Sequence, residues 1–174
     1  MNIIFLDIDR VLNSQVFFEK TLLTSKNPKT ELKNQVRKGI IERLEFYRKQ
    51  ICPERMAWLN KLCEETDSVI VVSSTWRKNK TIEELQEILN YAGAKFKVVG
   101  LTPVCACRMR GCEIRSWLDQ NGRDYLPYDY VIIDDDSDML LWQQGHFFQT
   151  DGYSGLTPNT CYRIKKYFNK HLTL

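Results

Sequence analysis

Asp7 and Asp9 stand two residues apart in Phe5-Leu6-Asp7-Ile8-Asp9-Arg10, directly after the apolar run Ile3–Leu6. In an extended chain alternate side chains share a face, so the two carboxylates are expected to project together beyond the end of a strand. Carboxylates at such close quarters resist joint ionisation unless a cation sits with them, and oxygen ligands of this kind suit Mg²⁺. A second acidic run, Asp134-Asp135-Asp136-Ser137-Asp138, follows the apolar run Tyr130–Ile133. Between the two come the hydroxyls Ser73, Ser74 and Thr75, placed after Ser68–Val72, and the arginines Arg108 and Arg110. Each group alone also reads as a set of turn-formers, because Asp and Ser are common in turns. Four such groups in this order make a far more specific signal than any one of them.

The chemistry such a set supports is phosphoryl transfer. Carboxylates from two strands, Asp7 and Asp9 with Asp134 and Asp135, would hold Mg²⁺ and so let an anionic nucleophile approach an anionic substrate. Asp7, first out of its strand, is the expected nucleophile toward phosphorus, forming an aspartyl phosphate. Asp9 is placed to protonate the leaving oxygen and then to activate water. The Ser73 hydroxyl and a guanidinium from Arg108 or Arg110 would stabilise the phosphoryl oxygens. Ser74, Arg77, Arg108 and Arg10 are the further residues expected to contact substrate.

Positioning these groups requires strands that end together. The runs Ile3–Leu6, Ser68–Val72, Phe96–Gly100 and Tyr130–Ile133 read as buried strands, with a short fifth around Phe147-Phe148. Helices fall between them. Pro53 opens one with a stripe of Met56, Leu59, Leu62 and Cys63 that ends near Thr66-Asp67. Thr81 and Glu84 are spaced as a capping box before Ile82, Leu85, Ile88 and Leu89, with Gly93 as the stop. Ile114, Trp117 and Leu118 mark a helix closed by Gly122, and Thr157-Pro158 opens a last one through Ile164 and Phe168. Alternating strands and helices predict an α/β fold, a Rossmann-like parallel sheet sandwiched by helices, and in such sheets ligands bind beyond the carboxyl ends of the strands.

With 174 residues, 43% hydrophobic and 27% charged, the chain is sized for a single domain spanning 1–174 and is not disordered. The stretch Ser14–Gln50 is too long for a tight connection. Leu32, Val36, Ile40, Leu44, Tyr47 and Ile51 recur at helical spacing, so residues 14–51 are expected to form a small basic helical insertion, weakened by Gly39. From Lys26 to Lys49 eight Lys or Arg face three Glu, a local net of +5 within an overall +3. A solvated helix face is the ordinary account, and an electropositive flap over a phosphate-bearing substrate is the functional one. Six irregularly spaced cysteines and an N-terminus without a signal peptide or membrane span predict reduced thiols and a cytoplasmic location.

The chain resembles a known family. Asp7-x-Asp9, a strand-end Ser73, a basic residue and Asp134-Asp135 are similar to the four motifs of the haloacid dehalogenase (HAD) phosphatases. More narrowly, Val72-Ser73-Ser74-Thr75-Trp76-Arg77, Arg110-Gly111-x-Glu113-Ile114-x-x-Trp117-Leu118, Ile133-Asp134-Asp135-Asp136-x-Asp138-Met139 and Gly155-Leu156-Thr157 resemble the HAD domain of Swiss-army-knife RNA-repair proteins, relatives of polynucleotide phosphatase domains. The resemblance covers nearly all of the chain outside Ser14–Gln50. It implies Mg²⁺ dependence, Asp7 as nucleophile, Asp9 as acid/base and a phosphomonoester substrate such as an RNA or DNA end or a nucleotide, and it favours Arg110 over Arg108 as the third-motif residue. Where such domains usually carry Gly after the second Asp, this chain has Arg10, which can reshape the turn, pair with a substrate phosphate or blunt activity.

Alternatives remain at this level. A small-molecule phosphatase or nucleotidase uses the same motifs, and a module that binds Mg²⁺ or phosphate but is impaired by Arg10 has the same acidic residues. A phospho-acceptor receiver domain places its phosphorylated Asp after a middle strand, whereas here the second acidic group follows the fourth. Cys105, Cys107 and Cys112 lack a nearby fourth ligand for zinc. His146 and His171 are the only histidines, which disfavours Ser-His and Cys-His nucleophile schemes. Trp58 and Trp117 fall on helix faces and read as core, while Trp76, beside the hydroxyls, is the one placed to stack on a base.

Overall fold

Asn2–Leu6 (β1), Ser68–Val72 (β2), Val98–Leu101 (β3), Asp129–Asp134 (β4) and Phe147–Gln149 (β5) form one sheet in the order β3-β2-β1-β4-β5, and every paired neighbour is parallel. The structure is a computed structural model, described over residues 1–24 and 39–171. Among the described residues six α-helices accompany the sheet: Gln15–Thr24 (α1), Gly39–Arg48 (α2), Pro53–Thr66 (α3), Ile82–Tyr91 (α4), Arg110–Asn121 (α5) and Pro158–His171 (α6).

β1 is central and wholly buried, so its alternating side chains feed two cores. Ile4 and Leu6, with Ile70, Val72, Val131 and Ile133, face a large core filled by Leu59 and Leu62 of α3, Leu85, Ile88 and Leu89 of α4, and Ile164 and Phe168 of α6. Ile3 and Phe5, with Val71 and Ile132, face a smaller one closed by Ile114 and Trp117 of α5 and by Met139. The Trp117 and Phe5 rings pack edge to face with centroids 5.5 Å apart. Each apolar β1 side chain, Ile3 to Leu6, contributes about 1.5–3 kcal/mol through burial, which makes an apolar run with both faces covered a strong strand signal.

Local signals act where expected. Pro53 begins α3, Asp67 terminates it in a left-handed conformation, and Thr81 and Glu84 close a complete capping box on α4. Thr157 Oγ1 accepts from the Thr160 amide at the start of α6. Two elements differ from expectation. β3 runs from Val98 to Leu101 rather than from Phe96 to Gly100, and its pairing shifts between Ile70 and Val71: Ile70 pairs with Val98 and Val71 with Gly100. Gly100 has no room for a side chain, since a Cβ there would lie 2.5 Å from Trp117 Nε1.

The second difference is α1, a helix in the first half of the expected insertion, where no periodicity marks one, that starts directly after the first loop. Its apolar residues make no clear stripe, and its one sequence signal is Ser14, whose Oγ accepts from the Phe17 amide at 3.3 Å. Of the basic helical insertion, α1 and α2 are described, while Leu32, Val36 and the basic residues Lys26 to Lys38 lie outside the described residues. α2 packs beside α4. Leu44 is buried, Arg43 pairs with Glu84 at 3.4 Å, and Tyr47 rests on Trp76 with ring centroids 5.0 Å apart. Among the described residues no helix is long and apolar enough to cross a membrane.

Candidate active site

After β3 the chain crosses over β2 and β1 to lay β4 on the far side of β1. The order therefore reverses at β1 and β4, and the loops leaving those two strands part to open a crevice at their carboxyl ends. The ladder runs one residue past the strands: the Asp7 amide donates to Ile133 O at 3.0 Å and the Ser73 amide to Leu6 O at 2.9 Å. Asp7 and Asp134 are thereby held side by side at the crevice floor, 5% and 1% exposed, with the half-buried Asp135 above them. Oxygens of Asp7, Asp134 and Asp135 lie within 4.8 Å of one another.

Asp9 does not join them. It was expected to project with Asp7 and to share the cation, yet the chain turns after Leu6 and the two side chains part. Both Asp9 oxygens accept from the Trp76 indole N–H at 3.1 Å, Oδ1 also from Asn13 Nδ2 at 3.0 Å, and Oδ2 from Thr75 Oγ1 at 3.5 Å. Asn13 Oδ1 in turn accepts from the Arg10 amide at 2.6 Å, which fixes the turn. Asn13 and Trp76 are site residues that sequence reasoning missed in this role. Trp76 is 9% exposed and packed in the core, so it offers no open face for stacking a base.

Arg110 reaches the acidic floor from the first turn of α5. Its Nε donates to Asp134 Oδ2 at 3.2 Å, and its Nη2 reaches Asp7 Oδ1 at 3.5 Å. Nη1 donates to Glu113 Oε2 at 3.0 Å, and Asp138 fastens the start of α5 by accepting the Arg110 amide at 2.7 Å. Glu113 Oε2 also accepts from Arg77 Nη2 at 2.6 Å. Arg77, expected to touch substrate, is turned inward. It is 5% exposed, and it donates to the carbonyls of Thr102 at 2.7 Å, Ser74 at 2.7 Å, Ser73 at 3.4 Å and Pro103 at 3.4 Å. Its fork has no donor to spare. A buried Arg77–Glu113–Arg110 chain thus ties the β2 loop to the group that faces Asp7.

Both serines after β2 are fully buried. The hydroxyl bonded to the Asp7 carboxylate is that of Ser74, which also accepts from the Trp76 amide at 3.4 Å. Ser73 Oγ has no hydrogen-bond partner. Ser74→Ala is therefore expected to lower kcat/KM for phosphomonoester hydrolysis by about 10–100-fold and Ser73→Ala by less. Steady-state kinetics on both variants checks the order, and the reverse order returns the role to Ser73.

Burial first, and then the neighbouring charge of Asp134, raises the Asp7 carboxyl far above the ordinary range, against the pull of Arg110 and Ser74. Burial likewise raises Asp134. An acidic pair strained in this way is relieved by a cation. Three carboxylates spread over 4.8 Å fit an oxygen cage with ligands at about 2.1 Å, in which opposite oxygens stand roughly 4.2 Å apart. The donor set is all hard oxygen and suits Mg²⁺.

A pH dependence follows. Asp7 and Asp134 hold protons in the metal-free fold that the unfolded chain has released, so their contribution is full below about pH 4 and is lost as pH rises toward and past neutrality. With chelator present, the melting temperature of the native protein is expected to fall below that of Asp7→Asn at pH 8 and to approach it at pH 5. Mg²⁺ should raise the native melting temperature more at pH 8 than at pH 5. Equal metal-free melting temperatures at pH 8 would remove Asp7 as the strained group.

Arg108 adopts a left-handed conformation on the rim of a cavity of about 450 Å³ beside Arg110, with Lys78, Thr75, Asp136 and Asp138. It touches none of the three carboxylates. A larger cavity of about 1190 Å³ lies at the opposite end of the sheet, by Ser68 and Phe96, away from every group described above. All six cysteines are free, and among the described residues the Cys105, Cys107 and Cys112 sulfurs make no metal-binding cluster. His146 bonds Tyr167 and the Tyr130 carbonyl, remote from the crevice. Trp58 is only half-buried, while Trp117 is core as expected.

An all-parallel sheet in this order, with carboxylates after its first and fourth strands meeting at the switch point, defines a phosphatase-type domain of the HAD class. The chain belongs, more narrowly, to the family described as the HAD domain in Swiss Army Knife RNA repair proteins, whose model matches residues 3–161. Comparison with curated proteins and with solved structures returned no match.

Proposed function

We propose that the protein is a Mg²⁺-dependent phosphatase that hydrolyses a phosphomonoester through an aspartyl phosphate on Asp7. The observation that carries this reading is the meeting of Asp7, Asp134 and Asp135 within 4.8 Å beneath the Arg110 guanidinium. Asp7, Asp134 and Asp135 would hold Mg²⁺, which when bound lowers the repulsion between the Asp7 carboxylate and an incoming phosphate.

The remaining steps belong to the chain's own side chains. An Asp7 oxygen attacks phosphorus as the bond to the leaving oxygen breaks. Asp9, steadied by Trp76, Asn13 and Thr75, gives its proton to that oxygen. The same carboxylate then takes a proton from water as the water attacks phosphorus, which frees Asp7 and releases phosphate. Arg110, held in aim by Glu113, and the Ser74 hydroxyl sit where charge grows on the phosphoryl oxygens.

A terminal phosphate on a nucleic acid is the favoured substrate, ahead of a small metabolite. The family description, the short elements around the crevice and the basic residues of the insertion support it. Six free thiols are in keeping with a reducing cytoplasm. The test is Mg²⁺-dependent phosphate release from phosphorylated oligonucleotides, mononucleotides and p-nitrophenyl phosphate side by side. Higher kcat/KM on the oligonucleotides is expected. A preference for mononucleotides would make the protein a nucleotidase, and no release from any substrate would leave a phosphate-binding module.

A further inference from the structure

We propose that Arg10 reads a second anionic group of the substrate, a phosphodiester or second phosphate on the leaving-group side, and that Asp135 holds its guanidinium until the cation takes Asp135. The proposal rests on the phosphatase reading above and adds to it the residue that selects the substrate class.

The backbone is the first sign. Arg10 has φ +58°, a conformation in which a side chain is unfavourable and glycine is at ease. The strained turn is nevertheless pinned on both sides, by Asn13 Oδ1 accepting the Arg10 amide at 2.6 Å and by Thr150 Oγ1 donating to the Arg10 carbonyl at 3.2 Å. A long cationic side chain kept at such a position points to work done by the side chain itself. The stem has a prepared path: Gly152 lies so close that a Cβ there would be 3.0 Å from Arg10 Cδ. The chain after β5 is thus bare of a side chain where the Arg10 stem passes.

The head of the residue is the second sign. Its Nη1 reaches Asp135 Oδ2 at 3.3 Å while the side chain stays 69% exposed. Asp135 is one of the three carboxylates that converge for a cation. A dication at that cluster and the guanidinium compete for the same carboxylate, and like charge drives Arg10 off as the cation enters. Arg10 also adjoins Asp9, the group that protonates the leaving oxygen. A guanidinium released there, with most of its surface in solvent, is set beside the outgoing part of the substrate rather than the phosphoryl group held by Arg110. Its planar fork suits the paired oxygens of a phosphate.

The test compares the native protein with Arg10→Gly, which suits the backbone, and Arg10→Lys, which keeps the charge but loses the fork. Two quantities are read: the preference in kcat/KM for a nucleoside 3′,5′-bisphosphate over the 3′- and 5′-monophosphates, and the Mg²⁺ dissociation constant by calorimetry without substrate. Arg10→Gly is expected to lower the preference by about ten-fold, chiefly through KM, with Arg10→Lys between the two. Mg²⁺ should bind Arg10→Gly at least about two-fold more tightly, because its competitor is gone. A preference within five-fold of native, or Mg²⁺ affinity unchanged in Arg10→Gly, overturns the proposal. Should the native protein hydrolyse none of these substrates, the phosphatase reading fails by itself. The Arg10 proposal is then decided by calorimetric binding of the same ligands with Mg²⁺: loss of the bisphosphate preference in Arg10→Gly upholds it, and an unchanged preference overturns it.

Discussion

Asp7→Asn is expected to abolish turnover, lowering kcat for Mg²⁺-dependent phosphomonoester hydrolysis by about 10³-fold or more. An amide keeps the shape of the side chain but would lose the charge proposed to attack phosphorus and one of the three carboxylates proposed to hold the cation. Asp7 sits 5% exposed against Asp134, and no other carboxylate can replace it in place. Asp9 is tied to Trp76 and Asn13, and Asp134 is covered by Arg110 and by the Asp136 amide at 3.0 Å. The loss should appear in kcat at saturating Mg²⁺, and it should not come from unfolding, because removing a strained buried carboxylate relieves the metal-free fold. Retention of more than about a tenth of native activity would take the nucleophile away from Asp7.

The second large effect concerns stability. Arg77→Met fills a similar volume but removes the charge that Glu113 faces at 2.6 Å and the donors that four backbone carbonyls accept. Side-chain exposures of 3% and 6% leave almost no water to replace them. Breaking one partner out of a buried pair costs about 3–5 kcal/mol, which for a chain of this size lowers the melting temperature by roughly 10 °C. Glu113 keeps its second partner, Arg110, so the freed carboxylate should pull on the group that faces Asp7. Activity should therefore fall even at temperatures where the variant is fully folded. Thermal melts alongside kinetics at low temperature check this, and a variant with native stability would mean that the Arg77 network carries little of the fold.

Much of this architecture is legible in the sequence, for a definite reason. Ile3–Leu6 and Val69–Val72 lie in strands covered on both faces, so they are continuous apolar runs with nothing else to be. The Thr81–Glu84 box and Pro53 are local signals that depend on no distant partner. Signals that depend on tertiary context fared worse. α1 has no clear apolar stripe and is held by its Ser14 cap, and the shift in β3 is set by pairing with β2.

The site divides in the same way. That acidic groups stand after β1 and β4 follows from strand positions. Which oxygens meet depends on a turn after Leu6 that carries Asp9 to Trp76 instead of to Asp134. Arg77 reads as a cation near hydroxyls, and only folding reveals that Glu113, thirty-six residues on, has claimed it. Trp76 reads as an aromatic beside a substrate, but the core takes its ring and Asp9 takes its N–H. The one contrary signal in the sequence is Arg10, which stands where similar domains usually carry Gly, and the structure gives it a positive φ.

The most direct measurement is chemical trapping of the intermediate. The protein is mixed with Mg²⁺ and a phosphomonoester it turns over, quenched within the turnover time and treated with borohydride, which reduces an acyl phosphate to an alcohol. Peptide mass spectrometry should find homoserine at position 7, and only when substrate and Mg²⁺ were both present. Trapping at another residue, or an unreduced Asp7 under conditions where phosphate is being released, would contradict the account.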